Sequence, residues 1–182
     1  RPFGPFIDIL RQVAHEPAAR RLGPALRGRL SPLVTLLPEL LPEAHARSEQ
    51  GGDRFRIYDA FVDLLSGAPE WDVRVVIVED LHWADEASLE LFAHLARHLP
   101  EGGVALVGTY RSDELHRTHP LQPVLVAMER ARTAEVTRLG PLDRDGSDKV
   151  VRATLATRAV PPDLLETIRA RRRGGGDART DG

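Results

Sequence analysis

The chain has 182 residues, a formal net charge of −2 and no cysteine. The lack of cysteine excludes disulfide bonds and Cys-ligated zinc, and the near-neutral charge argues against bulk attraction to nucleic acid or an anionic membrane. Since no apolar run approaches the roughly 20 residues of a membrane span, we expect a cytoplasmic globular protein with no membrane partner and no direct binding of nucleic acid by this segment.

The first third of the sequence predicts helices separated by irregular chain. Apolar residues recur at helical spacing and predict an amphipathic helix over residues 5–14. Residues 15–52 are rich in Pro, Gly and Arg, and we interpret them as a long insertion that holds one or two short helices. A further helix is predicted over residues 58–65, ended by Gly67.

An apolar run that ends in two adjacent carboxylates is the most informative feature. Residues 73–78 have the pattern of a strand buried on both faces, and Glu79 and Asp80 follow directly. Open α/β sheets place their chemistry just beyond the carboxyl ends of such strands. Two carboxylates at this point are suited to Mg²⁺ and to a water beside a nucleotide phosphate, the Walker B arrangement. An acidic turn that caps the next helix explains the spacing equally well.

A helix and a second strand follow the acid pair. Asp85 is a suitable N-cap for a helix over residues 86–98. Residues 104–110 have the pattern of a second buried strand, and a helical crossover of this length predicts parallel pairing with the first. That pairing places Thr109 and Arg111 at the same sheet edge as the acids. The predicted buried stripe of the helix consists of Leu89, Phe92, Leu95 and Leu99.

The remaining sequence predicts mostly helix. Residues 121–132 have a helical pattern, residues 135–139 are predicted to form a third strand, and residues from 143 onward are predicted to be helical. Two histidines offer a rival chemistry, because His94 and His98 lie four positions apart on one predicted helix, a spacing able to ligate Zn²⁺. The residues between them lack the Glu of the zinc-protease motif and no third ligand is evident, so we expect both on the solvated face.

The amino-acid sequence around the acids resembles that of a known family. Residues 79–85, Glu-Asp-Leu-His-Trp-Ala-Asp, closely resemble the Walker B segment of the STAND-type AAA-like ATPase domains, which occur in large LuxR-class transcriptional regulators and in some adenylate and guanylate cyclases. Residues 54–60 resemble the preceding helix, residues 108–115 the sensor 1 strand end, and residues 139–142 the exit into the helical lid.

The resemblance implies a fold and a division of the chain. We expect an α/β fold in which a parallel sheet is flanked by helices, forming a partial P-loop NTPase core over residues 1–142. Residues 143–171 would begin the helical lid. Residues 172–182 are polar and patternless, and we expect them to be disordered.

The resemblance also implies roles for the acids. Glu79 occupies the position of the acid associated with Mg²⁺, and Asp80 that of the acid that polarises the attacking water, so both are expected to be catalytic. The usual order has Asp first and Glu second. The inverted order here puts the role of Asp80 in question, since its shorter side chain reaches less far.

Three further residues are candidates for sensing the nucleotide phosphate. Thr109 could supply a hydroxyl and Arg111 a guanidinium to the γ-phosphate. The alternative for Arg111 is an ion pair with Glu79, Asp80 or Asp113. His82 could sense the phosphate state or be a hydrogen-bonded structural histidine. Trp83 is expected to pack between sheet and helix.

A missing motif limits these expectations. The 182 residues contain no Gly-x-x-x-x-Gly-Lys-Ser/Thr, and their single lysine, Lys149, lies in no such pattern. We therefore expect a fragment whose Walker A segment lies upstream. Its parent would be a switch that uses ATP/ADP and Mg²⁺, with output and repeat domains of the same polypeptide as partners. The alternative is a non-catalytic protein-interaction module that retains the fold.

Overall fold

The described structure falls into two compact units. The computed structural model describes residues 2–15, 23–41, 54–66, 75–100, 103–155, 161, 163, 164, 166 and 167. The units are Arg1–Glu135 and Val136–Gly182. Among the described helices, none combines the length and the apolar character needed to cross a membrane. The tail predicted over residues 172–182 lies outside the described residues, and the division of the chain at residues 142 and 143 stays a prediction.

The first unit is an α/β structure in which helices surround a small parallel sheet. Its helices and strands are α1 (Gly4–His15), α2 (Pro24–Leu30), α3 (Arg54–Ser66), β1 (Val75–Val78), α4 (Glu86–His98), β2 (Ala105–Gly108) and α5 (Leu121–Ala131). Short 3₁₀ turns occupy Ser31–Thr35, Pro38–Leu40, Leu81–Trp83 and Ser112–Glu114. The predicted α/β class is therefore confirmed, as are the helices predicted near the start of the chain and over residues 86–98.

Asp85 fixes the start of α4, as its position in the sequence predicts. Its carboxylate accepts a hydrogen bond from the backbone N–H of Ser88 over 3.0 Å and another from the Ser88 hydroxyl over 2.7 Å. The backbone N–H of Phe3 also donates to it, over 3.3 Å. One carboxylate thus caps α4 and fastens the chain just before α1 to the same place.

A second polar contact joins α3 to α4. Glu90 accepts hydrogen bonds from the hydroxyl of Tyr58 over 2.9 Å and from the guanidinium of Arg54 over 2.8 Å. The two donors lie four positions apart, on one face of α3. Both donors lie within residues 54–60, the segment whose sequence resembles the helix that precedes the Walker B strand.

The two strands pair in parallel, with Val75 opposite Ala105 and Val78 opposite Gly108. Only one face of β1 is buried, because its side chains alternate between the core and solvent. Val75 is 53% exposed and Ile77 57% exposed. The prediction of a strand buried on both faces is wrong: the apolar run is continuous in sequence, but the described helices cover only the face that carries Val76 and Val78.

The core lies between that face and the helices. Phe6 of α1 and Phe61 of α3 meet edge to face, with ring centroids 5.4 Å apart. On α4, Leu89, Phe92 and Leu95 are buried as predicted, whereas Leu99, which directly follows the helix, is only partly buried. Buried leucines from the end of α2 to residue 41 complete the cluster: Leu30, Leu33, Leu37, Leu40 and Leu41.

The third predicted strand does not form. Residues 133–143 contain neither helix nor strand, and in the second unit Val136 and Leu139 are exposed. A strand needs a hydrogen-bonded neighbour, and residues 135–139 pair with none in the described part of the chain. In the same unit α6 (Arg144–Thr154) begins where helix was predicted, with Asp143 capping the N–H of Gly146 over 2.7 Å. Its role as a lid stays a prediction.

Candidate functional site

The acid pair lies at the carboxyl end of β1, on the surface. Glu79 and Asp80 are both exposed. Asp80 has a left-handed backbone, with φ 53° and ψ 46°, a conformation that Asp tolerates better than most residues. The chain turns sharply at this point into the 3₁₀ turn Leu81–Trp83. The turn leaves both carboxylates facing solvent at the edge of the sheet.

Thr109 holds this turn against the end of β2. Its hydroxyl accepts a hydrogen bond from the backbone N–H of Asp80 over 3.1 Å. Its carbonyl oxygen accepts from the N–H of Leu81 over 2.8 Å, and its own N–H donates to the carbonyl of Val78 over 3.0 Å. Parallel pairing therefore brings Thr109 to the acids, as the sequence predicts, and fixes the backbone of Asp80.

Arg111 is paired with a residue that the sequence did not suggest. Its guanidinium donates to Glu114 Oε1 over 3.1 Å, whereas the ion-pair partners considered from the sequence were Glu79, Asp80 and Asp113. A 3₁₀ turn over Ser112–Glu114 brings the carboxylate of Glu114, which is not among those three, into reach of Arg111. The Arg111 side chain is 62% exposed, so this ion pair lies in solvent and is weak.

His82 lies buried beneath the acids, with a side chain only 1% exposed. Its Nδ1 accepts a long hydrogen bond, 3.4 Å, from the backbone N–H of Arg111. Its Nε2 lies 3.3 Å from Glu114 Oε2 and 3.9 Å from Asp80 Oδ1. The structure thus brings His82, Asp80, Thr109 and Arg111 to one edge of the sheet. Glu79 adjoins them along the chain.

Two residues of this edge were missed by reasoning from the sequence. Glu114 contacts both Arg111 and His82. His119 donates from Nε2 to the carbonyl oxygen of His82 over 2.9 Å, and its Nδ1 accepts from the N–H of Leu121 over 3.1 Å. It thereby links the turn after β1 to the start of α5. The sequence signal for Glu114 was an opposite charge three positions after Arg111; His119 gave none.

Trp83 does not pack between sheet and helix, and that prediction is wrong. The side chain is 69% exposed. Its ring lies against the imidazole of His82, with centroids 4.9 Å apart. The 3₁₀ turn directs Leu81 and His82 inward, and Trp83 is consequently left at the surface beside the acid pair.

The rival histidine pair lies elsewhere, on α4. The rings of His94 and His98 stack with centroids 4.0 Å apart, and His94 Nε2 lies 3.3 Å from Asp59. The His94 side chain is 16% exposed, so the expectation that both histidines face solvent is wrong for His94. Burial, together with the charge of His98, lowers the pKa of His94. The described parts of the chain hold no group of three or more His, Asp or Glu residues arranged to bind a metal ion.

The charges at the sheet edge have both signs within a few residues. The exposed carboxylates of Glu79 and Asp80 suit a hard cation, which prefers oxygen ligands. The guanidinium of Arg111 suits a phosphate, which it can contact through two N–H groups. Such an edge can hold a cation and an anion side by side, as a metal-bound phosphate requires.

Comparison with known proteins identifies the family. Residues 1–107 match the AAA ATPase domain family. The match includes β1 and the acid pair, and it ends in β2, before Thr109 and Arg111. No curated protein and no solved structure matches the chain. Because the family match covers more than half of the 182 residues, the chain belongs to the AAA ATPase domain family, whose members are nucleotide-binding ATPase modules.

Proposed function

We propose that this chain is part of a STAND-type regulatory ATPase, a nucleotide-dependent switch of a LuxR-class transcriptional regulator or a nucleotide cyclase. ATP binding and slow hydrolysis would set whether an attached output domain is held or released. The partners would be the nucleotide and the output and repeat domains of the same polypeptide. One observation carries the proposal: residues from both strand ends, Asp80 and Thr109, meet at one edge of a parallel sheet in a member of the ATPase family.

The acid pair fits Mg²⁺ in the way that nucleotide sites use it. Mg²⁺ keeps several waters and is bound through one or two carboxylates together with the substrate phosphates, instead of by a cage of protein ligands. Glu79 and Asp80 offer two exposed carboxylates, and the described residues form no cage of further ligands around them. In the proposed site Glu79 would hold the metal and Asp80 would orient the water. The bound metal would neutralise charge on the phosphates.

Asp80 is constrained in a way that favours a fixed role. Its backbone is held in the left-handed region by the contacts of Thr109 on both sides of the turn. A short side chain on a fixed backbone gives a defined carboxylate position. The inverted order of the two acids is therefore compatible with the proposed roles.

Arg111 and His82 are proposed to respond to the phosphate. The Arg111 guanidinium is exposed, and among the described residues its one ion pair is the weak contact with Glu114, which a phosphate can displace. His82 lies buried directly behind it and receives a hydrogen bond from its backbone. The Arg111 guanidinium and the His82 ring also lie beside the same carboxylate, Glu114, so a movement of the guanidinium would change the surroundings of His82.

The absence of a P-loop motif from the sequence supports a second candidate function. The backbone N–H cradle and the lysine of a P-loop provide much of the phosphate binding in these enzymes. The 182 residues contain neither. A non-catalytic interaction module that keeps the AAA fold explains that sequence as well, and the exposed apolar side chains of Val75 and Ile77 would suit contact with another protein.

Titration calorimetry with Mg·ATP and Mg·ADP tests the proposal. The chain alone should bind no better than about millimolar, because two acids and one Arg cannot replace the amide cradle and the lysine. A longer product of the gene that includes a P-loop, where one exists, should bind far more tightly. In that protein Asp80→Asn should impair hydrolysis more than binding, and Arg111→Ala should reduce discrimination between ATP and ADP.

A charge-matched control makes the test specific. Glu129→Gln removes one exposed carboxylate from the last turn of α5 and should change neither binding nor hydrolysis. Micromolar binding of ATP by the 182-residue chain would show that the phosphate site is assigned wrongly. Absence of any nucleotide binding by a protein with an intact P-loop would favour the interaction module.

A further inference from the structure

Glu114 is shared between two basic side chains. Its Oε1 accepts a hydrogen bond from the guanidinium of Arg111 over 3.1 Å. Its Oε2 lies 3.3 Å from Nε2 of His82. Each carboxylate oxygen therefore faces a different residue of the candidate site, and both of these residues lie at the carboxyl ends of the strands.

The hydrogen bond that Nδ1 of His82 accepts decides which ring nitrogen carries the proton in the neutral imidazole. Nδ1 accepts from the backbone N–H of Arg111. In a neutral imidazole the other nitrogen then carries the proton. Nε2–H is thus a donor, yet it is buried and makes no hydrogen bond with any described residue. Glu114 lies within 3.3 Å but without hydrogen-bond geometry.

We propose that Glu114 is a positioning residue that acts as a latch: without nucleotide it holds the guanidinium of Arg111, and when a phosphate takes Arg111 it turns to accept the Nε2–H of His82. The inference rests on the proposed nucleotide site. It assigns regulation to a carboxylate that is neither part of the acid pair nor in contact with the phosphate.

Glu114 can exchange Arg111 for His82 at little cost, because the first contact lies in solvent and the second is buried. Breaking the Arg111–Glu114 ion pair costs little, because both side chains are partly in solvent. Completing the hydrogen bond to His82 satisfies a donor that is otherwise buried and unpaired. His82 is in turn connected through its carbonyl oxygen to His119, which binds the first N–H of α5. The latch therefore lies between the sheet edge and α5.

Competition for Arg111 gives a direct test on the 182-residue chain. NMR titration with Mg·ATP would follow the side-chain Nε signal of Arg111 in the wild type, Glu114→Gln and Asp113→Asn. Glutamine keeps an acceptor for His82 but loses the charge that holds Arg111. Glu114→Gln should bind Mg·ATP about two- to fivefold more tightly, the equivalent of one surface ion pair.

The control removes the same charge one residue away. Asp113 is exposed and has no ion pair with another residue in the described ranges. Asp113→Asn should raise the affinity much less than Glu114→Gln. In the double variant Glu114→Gln/Arg111→Ala, the gain from Glu114→Gln should vanish, because Arg111 is the group that Glu114 sequesters.

The signal of the His82 ring gives a second readout. In the wild type, Mg·ATP should move the Nε2–H proton downfield and slow its exchange with water as Glu114 completes the bond. An equal affinity of wild type and Glu114→Gln, an equal gain in Asp113→Asn, or an unchanged His82 signal while that of Arg111 shifts would overturn the latch and leave the nucleotide site standing. If Mg·ATP shifts no signal at Asp80, Thr109 or Arg111 in any variant of the 182-residue chain, the latch fails, whereas the nucleotide site is judged by calorimetry on the longer protein with an intact P-loop.

Discussion

The hydroxyl of Thr109 accepts a hydrogen bond from the backbone N–H of Asp80 over 3.1 Å, and so joins the ends of the two strands. Thr109→Val keeps the shape of the side chain but removes the acceptor. We expect it to lower the free energy of unfolding by about 0.5–1.5 kcal/mol, the usual net contribution of one hydrogen bond. Urea unfolding followed by circular dichroism measures this change. Thr109→Ser retains the hydroxyl and should be closer to the wild type.

Gly108 is required by close packing at the end of β2. A Cβ at this position would overlap a methyl group of Leu81 and would lie 2.7 Å from the ring of Phe92. Both side chains are buried and have little room to move. Gly108→Ala should therefore destabilise the fold by about 1–3 kcal/mol through overpacking.

The control for this change is a glycine in open surroundings. A Cβ on Gly28 of α2 would meet nothing within 4 Å. Gly28→Ala should stabilise the protein by about 0.5–1 kcal/mol, because alanine has less conformational freedom than glycine in the unfolded chain and fits the helix without a clash. Thermal unfolding in which Gly108→Ala stabilises the protein as Gly28→Ala does would contradict the packing at Gly108.

Asp85 should stabilise the fold through its hydrogen bonds and, additionally, through its charge. Asp85→Ala removes the N-cap of α4 and should cost about 0.5–2 kcal/mol. Asp85→Asn keeps an acceptor and should cost less. Burial acts to raise the pKa of Asp85, but the hydrogen bonds from Ser88 and Phe3 outweigh it and hold the pKa below its usual value.

The sign of the pH dependence follows from that lowered pKa. The unfolded chain takes up the proton first as the pH falls, at a pKa of about 3.9. The contribution of the charge is therefore present above that pH and is lost as the pH falls through the lower pKa of the folded state. The stability difference between wild type and Asp85→Asn should shrink on acidification to that range. A difference that grows instead would contradict the assignment.

His94 should make the protein less stable in mild acid. Burial, followed by the charge of the stacked His98, lowers its pKa, and Asp59 opposes this only in part. The unfolded chain gains the proton near pH about 6.5, and the folded chain resists it until a lower pH. Stability is therefore highest above that pH and falls below it.

Comparison with His94→Gln isolates this effect. Between neutral pH and about pH 5, still below the usual histidine pKa, the wild type should lose more stability than His94→Gln, as measured by urea unfolding at each pH. His98→Gln, on the exposed member of the pair, should retain most of the dependence. A rise in melting temperature on adding zinc that disappears in His94→Gln would instead revive a metal site on α4.

Much of the local structure follows from the sequence by itself. Periodicity and capping residues determine α1 and α4, because a helix is specified by contacts within a few positions: Asp85 caps the helix that its position predicts. Strand, acid pair, crossover helix and second strand likewise predict parallel pairing, and hence that Thr109 meets Asp80. The amino-acid sequence of residues 79–85 by itself also indicated the ATPase family.

Only the tertiary structure decided which side chains are exposed and which acids meet which bases. The apolar run of β1 gives no sign that Val75 and Ile77 face solvent, because burial depends on which elements cover each face of the sheet. Trp83 lies at the surface because a 3₁₀ turn directs His82 inward. Arg111 pairs with Glu114 because another such turn brings that carboxylate back toward β2. Contacts of this kind depend on the three-dimensional path of the chain, which local patterns of residues do not specify.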